Sequence, residues 1–529
     1  METRLIVVSI SVVSILAIAL FAPQVMAAEF HVTNATELQN ALSVAANNGE
    51  DDIIYLAAGT YQGCFSYRPP ASEHMSLIIM GESGTTAQDI ITESPPGSPG
   101  WVWDLYDQTS GALAYIVLGG ITVQNGWGGI FASTDKYDVI IFSCIIRNNI
   151  GVSWGGGIFI DMANSFTLQN SLVLDNGVTQ SSGYSQGGGV YMRSYFGDCT
   201  AINNIIARNK AEGSNSEGGG FWVSTYHGDV YLLGNTIYSN QATKGGGTCL
   251  SLVNIANAYN NIIYGNTATE GNDIYISNVT TSNGYNNNYS DMFGAWTDSG
   301  LNLTIDPLFV DPANSDFHLQ SSSPMIDAGT YSVPDPPGIP WVYRLDFEGN
   351  QRNFIPDIGA YEYSPVKPFY GTVGTVFTIT GSGFGTSKGK VRIGNMAPKI
   401  LAWNDSSIQC QFVKCPPADA YSVIVQPKGG APITVEHGYF MVALPTIVSI
   451  EPSSGSANDE IAIHGNHFGT KKGQVTIGGK NCKVLAWWMD SATGEGKIVI
   501  VVPKRLAPGT HEIKVINSVG DDTRNFNIE

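Results

Sequence analysis

Cys144-Ile145-Ile146-Arg147-Asn148-Asn149 is a short apolar strand closed by asparagine, and the chain writes it again four more times. The copies are Ser171-Leu172-Val173-Leu174-Asp175-Asn176, Asn204-Ile205-Ile206-Ala207-Arg208-Asn209, Asn235-Thr236-Ile237-Tyr238-Ser239-Asn240 and Asn261-Ile262-Ile263-Tyr264-Gly265-Asn266. The closing asparagine steps by 27, 33, 31 and 26 residues. Between the copies stand Gly155-Gly156-Gly157, Gly187-Gly188-Gly189, Gly218-Gly219-Gly220 and Gly245-Gly246-Gly247. A period in this range marks stacked repeats. Short β-branched strands with Gly and Asn at the corners mark a β-solenoid and not a helical array. The recurring asparagine reads as structural: buried amides stacked at one corner hydrogen-bond one another and the turn backbone.

Alignment on the third glycine of each triplet predicts the stacking. Ile158, Val190, Phe221 and Thr248 come first, then Phe159, Tyr191, Trp222 and Cys249. Ile160, Met192, Val223 and Leu250 follow, and then Asp161, Arg193, Ser224 and Ser251. A period of two sends the first and third sets inward and the second and fourth outward. Adjacent coils bring each column to one strand spacing, roughly 4.8 Å. Upstream, residues 36–46 read as an amphipathic helix with Thr36 as N-cap, placed to cover the open end of the solenoid. Residues 52–56 read as the first strand, and residues 95–100 as a loop.

The formal charge of −19 is uneven. Residues 1–365 hold 10 Lys and Arg against 33 Asp and Glu, a net −23, whereas residues 366–529 come to +4. An acidic solenoid excludes nucleic acid, which needs a basic surface. It also excludes a polyanionic glycan unless divalent cations bridge the like charges. Arg4, an apolar run over residues 5–21 and Val25-Met26-Ala27 have the pattern of a secretory signal cleaved after Ala27. No later segment is long and apolar enough to span a bilayer, so the expected location is secreted or cell-surface. The seven cysteines are odd in number and widely spaced, which is no disulfide framework. Cys410 and Cys415, five residues apart on one strand, would face opposite sides, and most of the seven are expected to be buried as small apolar residues.

The stretch after the coils carries Asp306-Pro307-Leu308-Phe309-Val310-Asp311, Ser323-Pro324-Met325-Ile326-Asp327-Ala328-Gly329, Asp346-Phe347-Glu348-Gly349-Asn350-Gln351-Arg352 and Asp357-Ile358-Gly359-Ala360-Tyr361-Glu362. It resembles the end of the choice-of-anchor Q proteins, secreted or surface chains with a right-handed parallel β-helix of pectin-lyase-like fold. The resemblance covers residues 28–365. Two further units share Gly381-Ser382-Gly383-Phe384-Gly385 with Val391-Arg392-Ile393-Gly394, and Gly465-Asn466-His467-Phe468-Gly469 with Val475-Thr476-Ile477-Gly478. Their short alternating strands suggest β-sandwiches, and the motifs are similar to immunoglobulin-like IPT/TIG domains. The resemblance implies spacers, or modules that contact protein or glycan. The expected organisation is therefore all-β: a signal peptide over 1–27, a right-handed parallel β-helix over 28–365, and two IPT/TIG sandwiches over 366–442 and 443–529.

Candidate chemistry sits on the outward face beside the glycine triplets. Phe159, Tyr191 and Trp222 form an expected exposed aromatic column, with Asp161 and Arg193 beside it. Past the strand, Tyr195 aligns with Tyr226, Phe196 with His227, and Asp198 with Asp229. Exposed rings stack on sugar faces, and carboxylates and Arg bind hydroxyls, so this is what a carbohydrate groove needs. The structural alternatives are ring-on-ring packing, a surface ion pair for Asp161 and Arg193, and turn roles for Asp198, Asp229 and His227. Asp198 and Asp229 are also the candidate catalytic pair of a polysaccharide lyase or glycoside hydrolase, with Arg193 or Arg208 as the base of a lyase. No Gly-His-Gly, Asn-Thr-Asp or Asp-Asp lies inside the coils, so polygalacturonase-like hydrolysis finds no support. Ca²⁺ is the one cofactor these carboxylates suggest. Asp346, Glu348 and Asn350 form an acidic turn too short for an EF-hand loop. The leading expectation is an exported protein that engages polysaccharide or cell-surface glycan through the solenoid, with protein partners open to the IPT/TIG units. The rivals are the enzyme and a non-enzymatic adhesin or surface structural protein.

Overall fold

Three corners per coil demand backbone with positive φ, and the sequence supplies Asn, Asp or Gly at most of them. In one coil these are Asn170 (φ 46°), Asp175 (φ 55°) and Gly187 (φ 68°). Between the corners run the strands Ile158–Ala163, Ser165–Gln169, Leu172–Leu174 and Gly177–Val178. The computed structural model describes residues 28–70, 75–107, 114–134, 137–180, 183–334, 336, 344–352 and 355–529. The expected signal peptide lies outside the described residues.

Among the described residues, nine parallel strands stack in chain order to form one face of the solenoid, from Gly59–Gln62 to Asn288–Tyr289. A longer bent sheet forms the remaining wall, and its two strands per coil merge into single strands at Thr248–Tyr259 and Ile274–Tyr285. The expected columns are in register: Ile158 pairs with Val190, Val190 with Phe221, and Phe221 with Thr248. The first and third sets fill the central core together with Ile146, Val173, Ile206 and Ile263. The triplets serve close approach as well as the corner: a Cβ on Gly188 would lie 2.5 Å from the Gly219 carbonyl oxygen of the next coil.

Two asparagine ladders run the length of the coils. Asn149, Asn176, Asn209, Asn240 and Asn266 form one, ending on Asp273. Asn204, Asn235, Asn261 and Asn287 form the other, ending on Asn302. Each rung repeats one pattern. The Asn209 Oδ1 accepts from the backbone N–H and the Nδ2 of Asn176, while its own Nδ2 donates to Val173 O and Asn240 Oδ1. Every side-chain amide in the two ladders is thereby hydrogen-bonded, as burial requires.

The N-terminal cap forms, one residue earlier than expected. The helix is Ala35–Ala45, and its N-cap is Asn34, not Thr36. Asn34 Oδ1 accepts the Glu37 N–H at 3.0 Å, and the Glu37 carboxylate reaches back to the N–H and hydroxyl of Thr33. Asparagine outranks threonine as an N-cap, and the Glu37 carboxylate ties down the residue just before the cap in a variant of the capping box. Leu38, Leu42 and Ala45 enter the core, and Gln39 exchanges two hydrogen bonds with the Ser66 backbone. The strand Asp52–Leu56 has the expected bounds, but Ala28–Val32 precedes it and pairs alongside.

The described residues between 306 and 363 form a strap over the outer face of the nine-stranded sheet. Phe309, Phe317, Met325, Ile358 and Ala360 pack on Leu172, Ile205 and Ile262. Buried Arg352 donates to Asn203 Oδ1, Gly359 O and the carboxylate of Glu362. Asp346 is a turn organiser: its Oδ1 accepts the N–H groups of Glu348 and Asn350, and its Oδ2 that of Glu362.

The described chain divides into two compact units after Tyr363. The second unit holds two sandwiches with cores centred on Phe377, Ile379, Phe412 and Phe440, and on Ile461, Ile463, Ile498 and Val515. They repeat one another in detail. Trp403 Nε1 donates to Gly385 O, and Trp487 Nε1 to Gly469 O. Cys144, Cys199, Cys249 and Cys410 are buried, Cys415 and Cys482 half-buried and Cys64 exposed, and all seven are free.

Candidate functional site

The aromatic column exists and stacks, but it is not exposed. Phe159 and Tyr191 lie 4.8 Å apart between ring centroids, and Tyr191 and Trp222 lie 4.5 Å apart at an interplanar angle of 7°. Their exposures are only 8%, 3% and 5%. Alternation sets the side on which a residue leaves the strand, and here that side carries a second small core. Trp101 and Phe131 extend the stack at one end, and Cys249 and Tyr275 at the other. Gln186 and Trp222 both donate to the Glu217 carboxylate, and Lys244 lies over the Tyr275 ring. Burial pushes the Tyr191 phenol well up. The column is thus a packing element, which corrects its expected role as a glycan platform.

Asp161 and Arg193 are a bidentate ion pair, at 2.5 Å (Nε to Oδ1) and 2.9 Å (Nη2 to Oδ2). That hydrogen bonding is the largest influence raising the Arg193 guanidinium pKa. Their polar atoms are occupied by each other, so of the two expected roles the structure holds the ion pair.

What the coil does expose is its bend. In the coils of Thr248–Tyr259 and Ile274–Tyr285 the two strands of the bent sheet run into one another. In two adjacent coils a longer turn intervenes: Ser194-Tyr195-Phe196-Gly197-Asp198 and Thr225-Tyr226-His227-Gly228-Asp229. The turns are built alike. Ser194 Oγ donates to Gly197 O, and Thr225 Oγ1 to Gly228 O, both at 2.6 Å. They are pressed together, since a Cβ on Gly228 would sit 1.9 Å from the Gly197 carbonyl oxygen. The rings are thrown outward, with Tyr195, Phe196 and Tyr226 exposed at 38%, 54% and 52%. Tyr195 lies 5.2 Å from Tyr226 and 5.7 Å from His227, and Phe196 and His227 stack at 6.2 Å. Two side chains from each turn therefore form one open aromatic patch.

The paired aspartates border this patch. Asp198 Oδ1 accepts the Asp229 N–H at 2.8 Å, the turn role weighed for it. Asp229 Oδ1 accepts a long hydrogen bond from Asn254 Nδ2, at 3.4 Å. Partial burial, and then the neighbouring Asp198 charge, raise the Asp229 carboxyl above its ordinary value. Asn254 escaped the sequence reading because it lies in the unbroken strand Thr248–Tyr259, where no turn marks the position. The [Ser/Thr]-Tyr-x-Gly-Asp repeat was legible, but alignment alone does not distinguish an exposed turn from a packed one. Among the described residues, no group of three or more His, Cys, Asp or Glu side chains gathers as a metal site. The expected Arg208 base is paired with Asp175 through two hydrogen bonds and reaches the Ser315 hydroxyl of the strap.

Among known families, the IPT/TIG domain model matches residues 362–440 and 445–527. The contact site A protein of Dictyostelium discoideum is 30% identical over 154 residues, covering 28% of this chain and 29% of that protein. A cyclomaltodextrin glucanotransferase of Geobacillus stearothermophilus is 26% identical over 162 residues, covering 27% of this chain and 22% of the enzyme. The chain thus spans less than a third of the length of these curated relatives. One similar solved structure is the Bacteroides ovatus mixed-linkage glucan utilization locus SGBP-B in complex with a mixed-linkage heptasaccharide. It has 15% identity and a TM-score of 0.18, covering 30% of this chain and 43% of that one. The molecule is a parallel β-solenoid followed by two IPT/TIG β-sandwiches.

Proposed function

We propose that this is an exported, surface or extracellular protein that engages polysaccharide through the double turn on its solenoid. The observation that carries the reading is the patch of Tyr195, Phe196, Tyr226 and His227, four solvent-facing rings held side by side by two stacked turns. Open aromatic faces on a rigid scaffold suit sugar rings, and the bordering carboxylates suit hydroxyls. The export signal over residues 1–27 supports the location. The motifs between Asp306 and Glu362 support a right-handed helix of the choice-of-anchor Q, pectin-lyase-like type over residues 28–365. The sandwiches over 366–442 and 443–529 serve as spacer, attachment or protein-contacting modules. The test is retention of the mature chain on a panel of immobilised neutral, acidic and acetylated polysaccharides. Tyr195→Ala combined with Tyr226→Ala should abolish retention, and unchanged retention would sink the patch as the site.

The raised carboxyl of Asp229 beside Asp198 favours one second reading, a glycoside hydrolase or lyase in which Asp229 holds the proton. New chain ends released from any polysaccharide by the mature chain, and lost in Asp229→Asn, would establish it.

A further inference from the structure

The charge around the double turn bears on which glycan it takes, an inference that rests on the glycan reading above. Residues 190–233 contain three cations, Arg193, Arg208 and Lys210. Each is already in an ion pair, with Asp161, Asp175 and Glu212 respectively. Among the described residues, Asp198 and Asp229 form no ion pair with any cation, although both border the exposed rings. Their hydrogen-bond partners are neutral: the Asp229 N–H on Asp198, and Asn254 at 3.4 Å together with the Ile255 backbone on Asp229. Two carboxylates on successive coils, with each other's charge for company, are stabilised by a cation placed between or beside them. The rings point the same way. Tyrosine and phenylalanine faces attract a cation within about 6 Å of the ring centre. Here three such rings, with His227, cluster on the same two turns that end in Asp198 and Asp229. The region before residue 366 carries net −23, so the long-range field also draws positive ligands and repels anionic ones.

We infer that the double turn is a subsite for a glycan bearing free amino groups, a deacetylated amino-sugar polymer. The sugar faces lie on Tyr195 and Tyr226, and an ammonium group sits against Asp229 and Asp198. A polyuronate, whose carboxylates would meet unpaired carboxylates, is rejected. A neutral or N-acetylated chain makes the stacking contacts without the charge contact and binds more weakly.

The experiment compares two oligosaccharides of the same linkage and length, one fully N-acetylated and one fully deacetylated, by calorimetry on the mature full chain. The deacetylated form should bind about tenfold tighter at low salt, a factor set by one partly desolvated charge pair. That advantage should shrink to about twofold in 1 M salt, where screening reaches about 3 Å. Binding should also fall at acid pH as Asp229 takes up its proton, and at alkaline pH as the amine loses its own. Asp229→Asn, which keeps the turn and its backbone N–H, should remove the preference, bringing the affinity for the deacetylated form down to that for the N-acetylated form. Tyr195→Ala with Tyr226→Ala should remove binding of both, and an unchanged unfolding midpoint would show that the variants fold. Equal affinity for the two forms in the wild-type chain would overturn the amino-glycan assignment while leaving the glycan reading standing. No binding of either form would overturn both. Competition by polylysine as effective as that of the oligosaccharide, charge for charge, would make the turn a general cation surface and overturn the glycan assignment.

Discussion

Phe159, Tyr191 and Trp222 on the strands, and Tyr195, Phe196, Tyr226 and His227 on the turns, are two aromatic groups a few residues apart on the same coils. Both arise from one rule, that equivalent positions of adjacent coils stack at strand spacing. They end in opposite environments. The strand column is closed, at 3–8% exposure, because its rings pack face to face and neighbouring coils contribute Trp101, Glu217 and Lys244 over it. The turn patch is open, with Tyr195, Phe196 and Tyr226 at 38%, 54% and 52% exposure, because a longer bend lifts its rings off the sheet. A stack of aromatics in a solenoid is therefore not in itself a binding site. Its character depends on whether the backbone beneath it is flush with the sheet or raised from it.

Four variants would break or sharpen this contrast. The largest effect is expected from Trp222→Ala in the closed column, which removes a buried ring and its stacking partner's face. It should cost about 3–5 kcal/mol in denaturant unfolding of the solenoid, with no selective effect on glycan affinity. Asn209→Ala, in one of the asparagine ladders, takes the acceptor from the Asn176 N–H and a donor from the Val173 carbonyl, while Asn240 Oδ1 keeps the residue 209 backbone N–H. Each orphaned buried group costs on the order of 1–3 kcal/mol, so a loss of about 2–4 kcal/mol by the same measurement is expected. Tyr195→Ala with Tyr226→Ala in the open patch should shift stability by under about 1 kcal/mol, as exposed positions do, while glycan retention disappears. If the open patch proved as costly to truncate as the closed column, the distinction between packing and contact surfaces would fail.

The smallest effect concerns pH. Asp229 has its carboxyl raised in the folded chain, so the native state binds that proton more tightly than the unfolded one. Its contribution to stability is full below the ordinary aspartate range and declines as pH rises through the raised value. Asp229→Asn should therefore flatten the pH dependence of the unfolding midpoint on the mildly acid side and gain slightly at neutral pH. A variant profile parallel to that of the wild-type chain would count against the strained-carboxylate account of the turn.

Much of this was legible in single residues. The Asn149-to-Asn266 steps, the glycine triplets and the Ile-Ile and Leu-Val-Leu strands predicted the repeat period and the register of these coils, because corner conformation and strand alternation are local properties. The helical cap was legible too, although the choice between Asn34 and Thr36 turned on the Glu37 carboxylate folding back to Thr33. The Asp161–Arg193 pair followed from column alignment once the register held.

The exposure of the rings was not legible, and the reason is physical. Period-two alternation tells which way a side chain leaves its strand, but burial depends on what other parts of the chain lie over it. Trp101 meets Phe159 from 58 residues earlier in the sequence, and the Glu217 carboxylate reaches the stack from the end of the short strand Asn215–Glu217. Likewise the strap is tied to the sheet by Arg352 and Asn203, 149 residues apart. The sequence alone determined the solenoid, its corners, its columns and the sandwiches that follow, since each rests on conformational preferences within a few residues. Only the tertiary structure decided which aromatic column is core and which is surface, because solvent access is a property of packed neighbours and not of the strand that bears the ring.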